Sequence, residues 1–317
     1  MSRPRPTAVL TSLDFEGHDT GQHPEQPARM RAVLAELETR DLLPHRPEVT
    51  FGLADRDLVG RVHEPRYLEF LDEVVASGGG WIDADTMCDV DSVEVAYLAA
   101  GAATAAVEAV LGGQAARAFA LVRPPGHHAT AGRAMGFCLL NSVAIAAQDA
   151  LEQGLERVAI VDWDVHHGNG TEALFASRPD VLYCSVHQYG RGFFPGTGAG
   201  SDVGTGAGTG YTVNVPLAPG AGDQTYESIF RETLQTRIAA FQPELLLVSA
   251  GFDAHSSDPL GSMAVTERGF ATMATQLLDW ADRFASGRIV AVLEGGYHLP
   301  ALGRSVATVL ETFDAAD

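Results

Sequence analysis

Apolar runs rich in β-branched residues alternate along the chain with stretches whose apolar positions recur every three to four residues. TAVLTSL (7–13) precedes ARMRAVLAELETR (28–40), FALVR (119–123) precedes NSVAIAAQDALEQG (141–154), and RVAIVDWD (157–164) precedes TEALFAS (171–177). The runs predict strands and the periodic stretches predict helices, because side chains alternate faces along a strand and return to one face of a helix every 3.6 residues. VLYCSVH (181–187), YTVNVPL (211–217), ELLLVSAGF (244–252) and RIVAVLEGG (288–296) add four strands, and further helices are predicted over 223–241, 266–284 and 300–312. The last two strands are continuous apolar runs, as expected where both faces are covered. The pattern predicts an α/β fold, a single domain over residues 1–317 with an open, mostly parallel sheet and helices on both faces. The glycine-dense segment GRGFFPGTGAGSDVGTGAGTG (190–210) is read as a long functional loop rather than a linker, because Phe193 and Phe194 are out of place in a flexible spacer.

Composition narrows the class. With 46% hydrophobic and 20% charged residues, the chain buries a large core, which excludes disorder and a coiled coil. No leader pattern precedes Asp14, and no apolar run approaches the ~20 residues that cross a bilayer, so a soluble, unexported, cytoplasmic protein is expected. Cys88, Cys138 and Cys184 are odd in number and lack CxxC spacing, which fits reduced thiols. A formal net charge of -20 opposes direct nucleic-acid binding. It attracts polyamines or basic peptide tails, or serves solubility alone. All 21 basic residues are arginine, which carries no functional inference.

Sites in open α/β sheets form beyond the carboxyl ends of strands, so polar residues that end apolar runs are the first candidates. RVAIVDWDVHHGNG ends in Asp162, Asp164, His166 and His167, ELLLVSAGFDAH in Asp253 and His255, and AVLEGGYH in Glu294 and Tyr297. If Asp164 and His166 leave the strand in extended form, their i, i+2 spacing points both to one side, as two ligands of one metal require. Asp253 completes a set of one imidazole nitrogen and two carboxylate oxygens, which suits catalytic Zn2+, with Fe2+ as the alternative. Each aspartate alone reads better as a helix cap than as a ligand; three with a histidine on strand ends favour a site. Two carboxylates offset the metal charge and leave water there less acidic, so a base is needed. RPPGHH (123–128) supplies His127 and His128 after a strand and a rigid turn, and an imidazole can take a proton and return it to a leaving amine. His18, His45, His63, His187 and His298, taken singly, are read as surface or core histidines.

RPPGHH, GFC (136–138), DWDVHHGNGT (162–171), FFPGTG (193–198), GFDAHSSDPLG (251–261) and EGGY (294–297), in this order, resemble the histone deacetylase family. Their wording is similar to class II and the bacterial deacetylase-like amidohydrolases, and the likeness starts at GQHPEQPARMRAVL. The resemblance implies the arginase/deacetylase fold, with zinc on Asp164, His166 and Asp253, His128 as general base then acid, and His127 as electrostatic partner. It implies that Tyr297 polarises the acyl carbonyl, that Asp162 orients His127, and that Asn169 stands beside His128. Phe137 and Phe194 would wall a channel for the substrate's alkyl chain, and the Gly136 carbonyl would accept its amide N–H. Leu260 would sit at the rim, with Thr86 and Asp85 near a loop that touches peptide. A structural K+ is implied among Asp162, Asp164, His166, Ser185 and Val186, and a second among Phe175, Arg178, Val181 and Tyr211.

The expected activity is removal of acetyl or other acyl groups from acyl-lysine peptides or proteins. An acetylpolyamine amidohydrolase is the alternative that the net charge favours and Leu260 opposes. A ureohydrolase of the related arginase fold would need two further aspartates where Gly168 and His255 stand. A non-catalytic acyl-lysine binder lacks support, since Tyr297, His127 and His128 are all present.

Overall fold

The computed structural model describes residues 6–315, and the first five residues of the stretch weighed for a leader lie outside it. Among the described residues nine strands form: β1 (Ala8–Leu10), β2 (Gly80–Trp81), β3 (Met87–Cys88), β4 (Arg117–Ala120), β5 (Val158–Asp162), β6 (Val181–Gln188), β7 (Thr212–Leu217), β8 (Leu245–Ala250) and β9 (Ile289–Leu293). Seven of them make one sheet in the order β1-β4-β9-β8-β5-β6-β7, with every pairing parallel. These are the seven strands predicted from the pattern.

Every residue of β5, β8 and β9 is buried, and successive side chains point to opposite faces, so both faces of the sheet centre are covered. The helices are α1 (Ala28–Thr39), α2 (Arg56–Val59), α3 (Pro65–Ala76), α4 (Ser92–Leu111), α5 (Ser142–Glu152), α6 (Asn169–Phe175), α7 (Asp223–Ser228), α8 (Gln235–Phe241), α9 (Glu267–Phe284) and α10 (Leu299–Ala315). α4 and α5 pack together over β4 and β5, while α9 packs on β8 and β9 beside α10, which rests on α1.

Helix α4 corrects the expectation that no apolar run nears membrane-spanning length. It has 20 residues, and the 18-residue stretch within it that has a mean hydropathy of 1.4 is 78% buried inside the fold. Alanine and glycine let it sit against neighbours on most sides, which makes it a core helix by packing.

Chain order explains where a site belongs. Strands β5 to β7 advance toward one edge, whereas β8 and β9 step back toward the other, and the reversal falls between β5 and β8. Loops diverge there and leave a crevice at the carboxyl ends.

Candidate active site

β4, β9, β8 and β5 are neighbours in that order, so the three polar strand ends and the RPPGHH turn meet at one place. Beyond Asp162 the chain bends through 164–166 instead of continuing extended. The His166 N–H donates to Asp164 Oδ1 at 2.9 Å, so a tight turn, not strand spacing, brings the two side chains together. Backbone amides hold the remaining sides of the carboxylates: Gly295 N–H donates to Asp164 Oδ2 (2.9 Å) and Val165 N–H to Asp253 Oδ1 (2.8 Å). The other oxygens, Asp164 Oδ1 and Asp253 Oδ2, lie 3.2 and 3.1 Å from His166 Nδ1.

These three residues each offer a ligand atom within 4.8 Å of the others, the one such cluster found among the described residues. Burial, with the Asp164 charge next to it, pushes Asp253 up to about 7. Two carboxylates this deep repel unless a cation lies between them. Gly251 and Gly295 close the cradle, since a Cβ on either would strike the carboxylates. The donor set and its surroundings fit a divalent metal such as zinc. His255, where a second metal would need a carboxylate, instead accepts the Ser257 N–H on Nδ1 at 3.0 Å.

The end of β9 holds the histidine pair, because Glu294 accepts the N–H groups of Gly126 (2.6 Å) and His127 (3.1 Å). His127 Nδ1 donates to Asp162 Oδ2 at 3.0 Å, and its Nε2 lies 3.8 Å from Asp164 Oδ1. Burial opposes charge on this ring, but the Asp162 and Asp164 carboxylates outweigh it and raise it to about 10. His128 is held well below its ordinary value by burial, then by the charges of His127 and His166. Its Nδ1 donates to Asn169 Oδ1 at 2.8 Å, which leaves Nε2 as the ring's lone pair. The two rings, with centroids 4.0 Å apart, are thus pushed in opposite directions, His127 toward its charged form and His128 toward its neutral form. Tyr183, not singled out from sequence, also donates to Asp162 Oδ2, at 3.0 Å.

A cavity of about 250 Å³ is lined by Asp85, His128, Gly136, Phe137, His166, Phe193, Phe194, Leu260 and Tyr297. Phe137 and Phe194, the expected walls, are joined by Phe193, whose ring stacks on His166 at 5.1 Å. Phe137 adopts a left-handed conformation (φ 70°), and the Thr86 hydroxyl accepts its N–H at 3.1 Å. Thr86 is therefore a buried support for the wall, and Asp85 is the one of the pair that reaches the cavity. The Gly136 carbonyl has the Cys138 thiol 3.3 Å away, a weak bond that leaves a lone pair for another donor.

Tyr297 packs edge-on against Phe137 (5.6 Å), and the Arg29 guanidinium lies 5.0 Å over its ring. Asp258 accepts the N–H groups of Tyr297 (2.7 Å), His298 (3.2 Å) and Leu260 (2.9 Å), tying the tyrosine to the rim. Burial raises the Tyr297 phenol well above its ordinary value, so the hydroxyl stays a donor. Asp258 and Arg29 were missed as site residues although they lie within the quoted motifs, because partners on the backbone leave no spacing pattern. His18, His63 and His187 are buried with hydrogen-bond partners and His45 is exposed, as expected. Of the residues expected around monovalent cations, Ser185 pairs in register with Asp162. The carbonyls of Phe175 and Tyr211 accept N–H groups from Arg178 and Tyr183, both at 2.9 Å.

Residues 23–313 match the family described as the histone deacetylase domain. A histone deacetylase-like amidohydrolase of Pseudomonas aeruginosa is 40% identical over 300 residues, spanning 92% of this chain and 76% of that protein. Human polyamine deacetylase HDAC10 is 42% identical over 300 residues, spanning 91% of this chain and 44% of that protein. The crystal structure of the HDA15 HD domain superposes with a TM-score of 0.93 at 38% identity, covering 98% of this chain and 89% of that one.

Proposed function

The chain belongs to the histone deacetylase family, and from that premise we propose that it is a zinc-dependent hydrolase of acyl-lysine amides. The observation that carries this reading is the different bonding of the paired imidazoles, His127 Nδ1 on the Asp162 carboxylate and His128 Nδ1 on the Asn169 amide oxygen, beside the Asp164, His166 and Asp253 cluster. Zinc on those three ligands would supply a Lewis acid that polarises the acyl carbonyl and makes water more acidic.

His128, neutral and fixed in one tautomer by Asn169, takes the proton of the attacking water at Nε2 and returns it to the departing amine. His127 stays protonated between Asp162 and Asp164 and supplies positive charge without moving a proton. The Tyr297 hydroxyl donates to the oxyanion that develops on the acyl oxygen, a contact usually worth about 10² to 10³ in rate. Phe137 and Phe194 hold the alkyl chain, the Gly136 carbonyl takes its amide N–H, and Leu260 sits at the rim. Acetate and a free amine result. The reading includes a structural potassium beside Asp162 and Ser185, class II character, and a cytoplasmic setting, which the free, buried Cys88, Cys138 and Cys184 suit.

Acetylpolyamine hydrolysis is the second reading, favoured by the Asp85 carboxylate at the cavity, which would pair with a distal ammonium of such a substrate. Acid release from an acetyl-lysine peptide and from acetylated polyamines, each with and without a chelator, tests both. Chelator-sensitive release with higher kcat/KM on the peptide supports the first. A polyamine preference that Asp85→Asn removes supports the second, and release that survives full chelation contradicts both.

A further inference from the structure

The glycine-rich loop between β6 and β7 is held by imidazoles that take no part in the chemistry above. His167 Nε2 donates to Glu172 Oε2 at 3.0 Å, and its Nδ1 meets the Thr197 hydroxyl at 2.8 Å. The Asn214 amide donates to Glu172 Oε2 at 2.6 Å and to the Asp202 carbonyl, further along the loop, at 3.3 Å. His187 reaches from Ser185 Oγ (2.8 Å) to the Gly198 carbonyl (2.9 Å). A carbonyl only accepts, so His187 Nε2 carries the proton and Nδ1 receives the Ser185 hydroxyl. By the same rule a carboxylate only accepts, so His167 donates to Glu172 from Nε2 and its Nδ1 is the atom that pairs with the Thr197 hydroxyl.

The two rings are buried and 4.7 Å apart. Gly198 is pressed against them with φ 89°, and a Cβ there would lie 2.5 Å from His187 Nε2 and 2.6 Å from His167 Cγ. Just upstream, Phe194 packs edge-on to His128 at 5.0 Å and Phe193 stacks on His166.

We infer that His167 and His187 are positioning residues that latch Thr197 and Gly198 to the strand ends and so set where Phe193 and Phe194 stand in the channel. The walls touch the substrate's alkyl chain alike in the ground and transition states, so loosening the latch raises KM with little change in kcat. This kinetic consequence rests on the hydrolysis proposed above, whereas the latch itself has a readout that does not.

Thr197→Val removes the hydroxyl at nearly constant volume, Thr197→Ser keeps it, and Gly198→Ala wedges the ring pair. Hydrogen exchange over residues 193–200 is expected to speed about tenfold in Thr197→Val and further in Gly198→Ala, with β8 and β9 unchanged. KM for an acetyl-lysine peptide is expected to rise about tenfold in Thr197→Val with kcat within about twofold, and Thr197→Ser to match the wild type. Unchanged exchange in Thr197→Val, or a fall in kcat at constant KM, overturns the latch. A wild-type chain that hydrolyses no acyl amide refutes the proposed function, and exchange alone then decides the latch.

Discussion

The metal-ligand cluster and the glycine-rich loop serve one cavity but are held by different means. Asp164 and Asp253 are fixed by backbone N–H groups of Gly295 and Val165, which follow sheet strands and cannot move without the sheet. Phe193 and Phe194 ride on a loop whose ends are tied by backbone bonds of Tyr189 and Thr205, but whose middle, Thr197 to Asp202, is held to the strand ends by the side chains of His167, His187 and Asn214. Backbone-held groups are placed by the fold, so altering one removes its function outright. Side-chain-held groups are placed by a few bonds of about 1 kcal/mol each, and altering one should tune rather than abolish.

The largest effect expected on the rigid side is from Asp253→Asn, which removes one of two anionic ligands. Zinc content should fall to background and acid release should vanish, while far-UV circular dichroism stays unchanged; retained stoichiometric zinc would show that the cluster is not the metal site. Next is Tyr297→Phe, expected to lower kcat/KM by about 10² to 10³ with zinc retained. Near wild-type turnover would remove Tyr297 from the oxyanion role.

The rigid side also has an acid-sensitive support. His63 donates from Nδ1 to the Thr130 carbonyl (2.9 Å) and accepts the Asn141 N–H on Nε2 (3.0 Å), bracing the segment after the histidine pair. Burial outweighs the Thr130 bond and lowers His63 from 6.5 to about 4. The folded value lies below the unfolded one, so unfolded chain binds the proton first. This contribution is complete above pH 6.5 and is lost as pH falls toward 4, a change of about 3 kcal/mol. Urea unfolding at pH 7 and pH 4 should show that loss in the wild type and a smaller one in His63→Gln; equal losses would refute it. The smallest effect, about tenfold in KM, belongs to Thr197→Val in the loop.

The same contrast explains what could be read from sequence. The seven sheet strands were legible because each is a short apolar run, and Asp162, Asp253 and Glu294 were conspicuous as charges ending such runs. Helix α4 was not legible: buried on most sides, it carries no polar stripe to mark a period. The β2–β3 hairpin, two residues to a strand, is too short for any pattern. Motif resemblance supplied Phe137, Phe194 and Tyr297 but left Phe193 and Asp258 without roles and put Thr86 at the rim rather than behind the wall, since these act through a stacked ring, backbone amides or a neighbouring loop. Strand geometry predicted the meeting of Asp164 and His166 for the wrong reason, because a side-chain acceptor within the turn does what extended spacing was expected to do.

The most direct measurement is zinc content and acetate release followed on one sample of purified chain through chelation and readdition of zinc. The account predicts one zinc per chain, with release lost on chelation and regained with the metal. Full turnover by zinc-free protein, or zinc-loaded protein that frees no acid from any acylated amine, would contradict it.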